Sequence, residues 1–149
     1  MRNDLDFPDN SFDIVYSWEV IHHSPDTKKA ANEIFRVLKP GGVAKVMLYH
    51  KYSMVGFMLW LRYAIFAGRP FTSLDGIYAN YLESPGTKAY SEAEARNLFQ
   101  QFENVSIKIQ LSHGDLLNIA RLIWPRLLLM RFFRRNGLFM LIEATKSSL

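Results

Sequence analysis

An α/β domain built on a largely parallel sheet is the fold class that the sequence predicts, and three features carry the prediction. Two short apolar runs, Phe12–Ser17 and residues 43–49, are rich in β-formers and nearly uninterrupted, as expected of strands covered on both faces. Between them Ala30, Ile34, Val37 and Leu38 recur at helical spacing. Strand, helix and strand over this length make a βαβ unit, whose crossover is right-handed.

The elements follow in order. Pro8-Asp9-Asn10-Ser11 is a turn cluster leading into the first strand. Ser24-Pro25-Asp26 reads as a helix start, with serine as the cap, proline in the first turn and an acid at the positive end of the dipole. The helix should stop before Pro40, with Gly41-Gly42 supplying the turn into strand 43–49. Residues 53–67 look helical and apolar almost all round, and residues 68–88 read as a long, partly ordered connection. Ser91 and Glu94 form a capping box, after which Ala95, Leu98, Phe99 and Phe102 share one helical face. Residues 105–111 alternate as a half-buried strand. Residues 116–135 are expected to be helical with a kink at Pro125, after an Asp115 cap in His113-Gly114-Asp115. Asn136-Gly137 ends that helix, and 138–145 is the last strand.

Composition narrows the classes. The chain has 149 residues, 49% hydrophobic and 21% charged, which suits a globular domain rather than disorder. There is no cysteine, so disulfides, thiolate zinc sites and cysteine nucleophiles are excluded, and a cytoplasmic location is favoured. Residues 1–13 are acidic and turn-forming, unlike a signal peptide. The apolar stretch 54–67 is interrupted by Arg62 and falls short of the ~20 residues a bilayer span needs. Residues 116–142 carry five arginines and no acid. A basic, apolar segment of this kind points to an anionic or membrane-surface partner. No basic–aromatic stripe of a nucleic-acid module is present, so nucleic acid is not an expected partner.

The run from Leu5 to Asp26, LDFPDNSFDIVYSWEVIHHSPD, followed by EIFRVLKPGG at 33–42, resembles the middle of class I S-adenosylmethionine-dependent methyltransferases. That family shows L-P-F-x-D-x-S-F-D, a V-L-H-H-like stretch, and a helix ending R-V-L-K-P-G-G; Asp6 stands where the family has proline. The resemblance implies a partial Rossmann-like methyltransferase fold. In it Phe12–Ser17, 43–50, 105–111 and 138–145 are strands four to seven of a 3-2-1-4-5-7-6 sheet whose last strand is antiparallel. Residues 1–149 would be a single partial domain, the C-terminal half, with helical inserts at about 53–68 and 116–135. The family's glycine-rich loop and its two cofactor-binding acids have no counterpart, so the chain alone is expected to be inactive.

Ligands of open α/β sheets sit at the carboxyl ends of the strands. The resemblance therefore implies S-adenosylmethionine as cofactor, with Leu5, Asp6 and Phe7 on its adenine side and Ser17, Trp18, Glu19 and Val20 near its methionine part. His50, ending a strand, is the candidate general base, its alternative being a histidine tied to nearby backbone. His22, His23, Tyr49 and Tyr90 are candidates for a substrate pocket. No metal is expected, because adjacent helical histidines point about 100° apart and chelate poorly.

The expected function is methyl transfer to an amphiphilic small molecule or lipid-like acceptor in the intact protein. The alternative is a non-enzymatic half-fold that pairs with another chain. Arg131, Arg134 and Arg135 share a helical face, suggesting membrane-surface contact through 119–135. The open edge of strand 12–17 is expected to invite oligomerisation.

Overall fold

The computed structural model describes residues 5–111 and 136–148. Its strands are β1 (Phe12–Ser17), β2 (Leu38–His50), β3 (Ala89–Tyr90), β4 (Glu103–Gln110) and β5 (Phe139–Thr145). Its α-helices are α1 (Thr27–Val37), α2 (Met54–Trp60), α3 (Leu74–Tyr81) and α4 (Glu92–Leu98). The chain forms two compact units. The first comprises Met1–Leu48, Glu92–Lys108 and Leu141–Leu149; the second comprises Tyr49–Ser91 and Ile109–Met140.

The first unit holds most of the sheet, in the order β1-β2-β5-β4. These are the elements expected as strands four, five, seven and six, in that sequence. β1 runs parallel to β2, with Val15 beside Ala44 and Ser17 beside Val46. Along β2 and β5 the hydrogen bonds run in opposite senses. Gly41 N–H donates to Lys146 O at 3.0 Å and Lys146 N–H to Gly42 O at 2.9 Å, whereas His50 N–H donates to Leu138 O at 2.7 Å. β5 is therefore antiparallel to β2.

Alternation decides what each face does. Ala44, Val46, Met140, Ile142 and Ala144 are buried, as are Ala31, Ile34 and Val37 of α1 and Ala95 of α4. Phe35 and Phe102 meet edge to face at 5.1 Å. The other face carries Ile14 and Tyr16, opposite Val43 and Lys45, and these two are 61% and 65% exposed. The expectation that β1 is covered on both faces is thus corrected: β1 is the terminal strand of the order, and one of its faces is open.

Two boundaries also move. The cap of α1 is Asp26, whose side chain accepts from Lys29 N–H at 2.9 Å, not Ser24. Ser24 instead closes the short 3-10 turn Ile21–His23 and donates from Oγ to Asp26 O at 3.1 Å. Gly41-Gly42 lies inside β2 rather than in a turn, because the strand starts at Leu38, where it pairs with Phe12, and the pairing shifts register before Ile14. Gly41 has φ 77°, a left-handed conformation suited to glycine, and a Cβ at Gly42 would stand 2.8 Å from Lys39 O.

The second unit begins where β2 ends. Tyr49 and His50 pair with Ala89 and Tyr90 of β3, a parallel pairing that sequence reading missed. Ser53 caps α2, accepting from Gly56 N–H at 3.0 Å, and its Oγ lies 2.8 Å from the Tyr78 hydroxyl. That hydroxyl in turn donates to the His50 and Lys51 carbonyls, each at 3.1 Å. Gly56 has no space for a side chain, because a Cβ there would collide with the Tyr78 ring and hydroxyl. The expected helix 53–67 is α2 followed by a π-helical turn at Leu61–Ile65. Residues 68–88, expected as a connection, contain α3, capped by Ser73 on Gly76 N–H at 3.2 Å. His113, Asp115, the insert 116–135 with Arg131, Arg134 and Arg135, and the contact surface 119–135 lie outside the described residues.

Candidate functional site

At the carboxyl end of β1 the first unit forms a cavity of about 240 Å³, lined among others by Leu5, Ser17, Val20, Ile21, Glu33 and Ile34. Glu19, with φ 55°, turns the chain sharply from β1 into the 3-10 turn. A left-handed non-glycine residue of this kind is uncommon, and such strain recurs at ligand sites. Ser17 is buried, and its Oγ has no hydrogen-bond partner among the described residues. A buried hydroxyl without a partner costs stability, so it marks a place where a ligand atom or water belongs.

Leu5 reaches this cavity because Arg36 holds the segment before β1. The guanidinium donates to Leu5 O (3.0 Å), Phe7 O (2.8 Å) and Asp9 Oδ1 (2.6 Å), and also to both carboxylate oxygens of Glu33. Glu33 closes the loop by accepting from Leu5 N–H at 3.1 Å. Arg36 holds the Glu33 carboxyl below its ordinary pKa, the Leu5 amide adding to the effect, and the two carboxylates raise that of Arg36. Sequence reasoning used Arg36 only as part of a motif. The available signal was Glu33 three residues before an arginine on a helix, with a turn-rich acidic segment upstream.

Of the other residues expected near a cofactor, Asp6, Phe7, Trp18 and Glu19 do not line this cavity. Phe7 packs edge to face on Phe12 at 5.0 Å. Trp18 stacks on Tyr16 at 6.1 Å and lines a separate concavity of about 300 Å³ with Lys45, Lys108 and Glu143. Leu5, Ser17 and Val20 are brought together.

His22 is fully buried, with the His23 ring centred 4.2 Å away and tilted by 49°. Burial pushes the His22 pKa down to about 4; His23 adds to the shift, and a Met47 backbone hydrogen bond opposes it. His22 is therefore a neutral core group at pH 7.

In the second unit His50 is buried, with Nδ1 3.3 Å from Gly137 O. Tyr90 is half-buried, its carbonyl accepting from Lys51 N–H at 2.9 Å, and Tyr49 is buried and stacked on Phe139 at 6.2 Å. A groove of about 330 Å³ is lined by Lys51, Tyr52, Ser53, Phe57, Trp60 and Leu74. Lys51 also pairs with Asp75 at 3.0 Å. Tyr52, Phe57 and Trp60 were not singled out, because aromatic residues on an apolar helix read first as core.

Known methyltransferases resemble part of the chain in sequence and most of it in fold. Residues 2–46 match the family described as "Methyltransferase domain". Over 39 residues, 26% of the chain, it is 62% identical to the sterol 24-C-methyltransferase erg6 of Aspergillus fumigatus. Over 45 residues, 30% of the chain, it is 49% identical to phosphoethanolamine N-methyltransferase 2 of Caenorhabditis elegans. Each of these matches spans 10% of the relative's own length. Among solved structures, a Thermotoga maritima SAM-dependent methyltransferase, titled a possible histamine N-methyltransferase, superposes with TM-score 0.64 at 18% identity. It is covered over 61% of its length by 97% of this chain. Phosphoethanolamine N-methyltransferase 2 of Haemonchus contortus, solved with S-adenosyl-L-methionine, gives 0.54 at 16% identity, over 95% of this chain and 35% of that one. Residues 2–46 are thus similar to methyltransferase domains, and the α/β fold is one that solved SAM-dependent methyltransferases share.

Proposed function

We propose that the intact protein transfers a methyl group from S-adenosylmethionine to an amphiphilic small molecule or lipid-like acceptor. The observation that carries this reading is the cavity at the end of β1, where the partnerless Ser17 hydroxyl stands among Leu5, Val20 and Ile21. A buried polar atom in an apolar wall fits a ligand with both characters. Bound there, the cofactor would supply an electrophilic methyl group on a sulfonium. Ser17 would hydrogen-bond it, Leu5, Val20 and Ile21 would form its apolar wall, and Arg36 with Glu33 would hold Leu5 in place. Asp6, Phe7, Trp18 and Glu19 remain proposed neighbours by resemblance. The acceptor class is supported by the aromatic groove of the second unit and by relatives named for sterol and phosphoethanolamine methylation. His22 is not proposed to touch the acceptor, since it is core; His23, Tyr49 and Tyr90 remain proposed pocket residues, with His50 the proposed base.

The test is methyl transfer from tritiated cofactor into the organic and aqueous phases of a cell extract, using the intact protein. Label in the organic phase is expected. Label confined to the aqueous phase overturns the acceptor class, and no label in either overturns the activity. Ser17→Ala is expected to weaken S-adenosylhomocysteine binding about tenfold, the worth of one hydrogen bond to a charged or polar ligand group.

A second reading rests on β1. Its open edge and the exposed Ile14 and Tyr16 favour a half-fold that acts by pairing with another chain.

A further inference from the structure

We infer that the exposed turn at residues 65–71 of the second unit is a docking surface for an anionic lipid bilayer, with Phe66 and Phe71 as the inserting side chains. Every residue from Ile65 to Phe71 is exposed. Phe66 is 82% exposed and Phe71 99%, so the Phe71 ring is almost free of protein. An apolar side chain held clear of the surface leaves water only by entering something else.

The turn is built to hold them there. Phe66 N–H donates to Leu61 O at 3.0 Å, Gly68 N–H to Ile65 O at 3.0 Å, and Arg69 N–H to Ala64 O at 2.8 Å. Thr72 donates to Arg69 O through both its amide (3.1 Å) and its hydroxyl (2.9 Å). Trp60 Nε1 ties the far side down by donating to Thr72 O at 3.0 Å. Little ordering entropy therefore remains to be lost on insertion.

Charge selects the partner. Residues 51–74 contain Lys51, Arg62 and Arg69 and no acid. Lys51 is engaged by Asp75, whereas Arg62 and Arg69 make no ion pair among the described residues. Aromatic tips beside arginines that make no ion pair among the described residues, Arg62 lying over the Tyr63 ring at 5.3 Å, match the headgroup boundary of an anionic membrane, where each cation near the surface is attracted and each buried ring is desolvated. A protein partner would need about 800 Å² of flat, packed surface per side, which a seven-residue projecting turn does not offer. Among the described residues no helix is long and apolar enough to cross a membrane, so the contact is with the surface. This inference stands apart from the methyl-transfer reading.

The experiment is flotation of the full chain through a density gradient with vesicles of phosphatidylcholine, alone or mixed with phosphatidylglycerol. Aggregates sediment while vesicle-bound protein floats, so self-association does not obscure the result. Binding to the phosphatidylglycerol vesicles is expected, and salt should weaken it. Phe66→Ser and Phe71→Ser are each expected to lower partitioning about tenfold. Arg62→Gln and Arg69→Gln should each lower it about fivefold. All four side chains are exposed, and circular dichroism of the variants checks that folding is retained. No flotation with anionic vesicles, or flotation that the double phenylalanine variant leaves unchanged, overturns the proposal. It is also overturned if that variant instead alters oligomer size in the absence of vesicles, which would make the turn a protein contact.

Discussion

The first unit contains the whole of the segment that matches a known family, residues 2–46, and with it the Arg36 network and the cavity at the end of β1. The second unit is described by aromatic stacks and capped helices: Tyr63 on Tyr81 at 4.1 Å, Phe57 on Trp60 at 6.3 Å, Ser53 and Ser73 at helix starts. A site that holds one fixed ligand constrains residue identity at each position, so its sequence stays recognisable. Aromatic surfaces that need only apolar area and a polar edge can be built from many sequences. Recognition of the family therefore comes from the first unit, and proposals about the acceptor come from the second.

The largest expected effect tests whether the first unit is limited by its open strand. The chain is expected to elute as an oligomer, and Ile14→Lys with Tyr16→Lys should convert it to monomer in light scattering. Charges on an edge strand oppose pairing with another chain. A monodisperse wild-type monomer that melts cooperatively would remove both this prediction and the pairing alternative.

Next comes pH. Folded His22 titrates at about 4, below the ordinary 6.5, so the unfolded chain binds the extra proton in that window. Its contribution is fully present above pH 6.5 and is lost as pH falls toward 4, by about 3 kcal/mol in all. Urea midpoints at several pH values check this. His22→Phe should flatten the slope, and an unchanged slope would place the acid sensitivity elsewhere.

The smallest effect belongs to the second unit. Gly56→Ala drives a methyl into Tyr78 and is expected to cost about 2 kcal/mol. Hydrogen exchange should rise in α2 and α3 while amides of α1 keep their protection. Equal loss in both units would show that they unfold together.

Much of the fold was legible because its signals are local. FDIVYS became β1 without a shifted boundary, and the alternation near 105–111 became β4. Where the reading failed, a competing interaction decided. Ser24 and Asp26 are both good caps, and only the geometry after the 3-10 turn chose Asp26. Gly41-Gly42 has the composition of a turn, yet both residues are drawn into β2 by hydrogen bonds with Lys146. α3 was missed because Gly76 and Asn80 weaken the helical signal of LDGIYANY. At the candidate site, Leu5, Ser17 and Val20 were named from a motif, whereas the Arg36 network that positions Leu5 was not.

By itself, then, the sequence determined the α/β class, the βαβ unit, the resemblance of residues 5–42 and the candidate ligand end of β1, because periodicity and turn chemistry act over a few residues. Tertiary structure alone decided the partners. Lys146 shows this most clearly. Its ammonium donates to Phe35 O at 2.9 Å, Leu38 O at 2.8 Å and Asn10 Oδ1 at 2.9 Å, and lies 4.7 Å from the centre of the Phe35 ring. It thereby satisfies the negative end of α1 from more than a hundred residues away. No local pattern marks such a lysine, because which distant carbonyls it meets depends on where β5 enters the sheet and not on its neighbours in the chain.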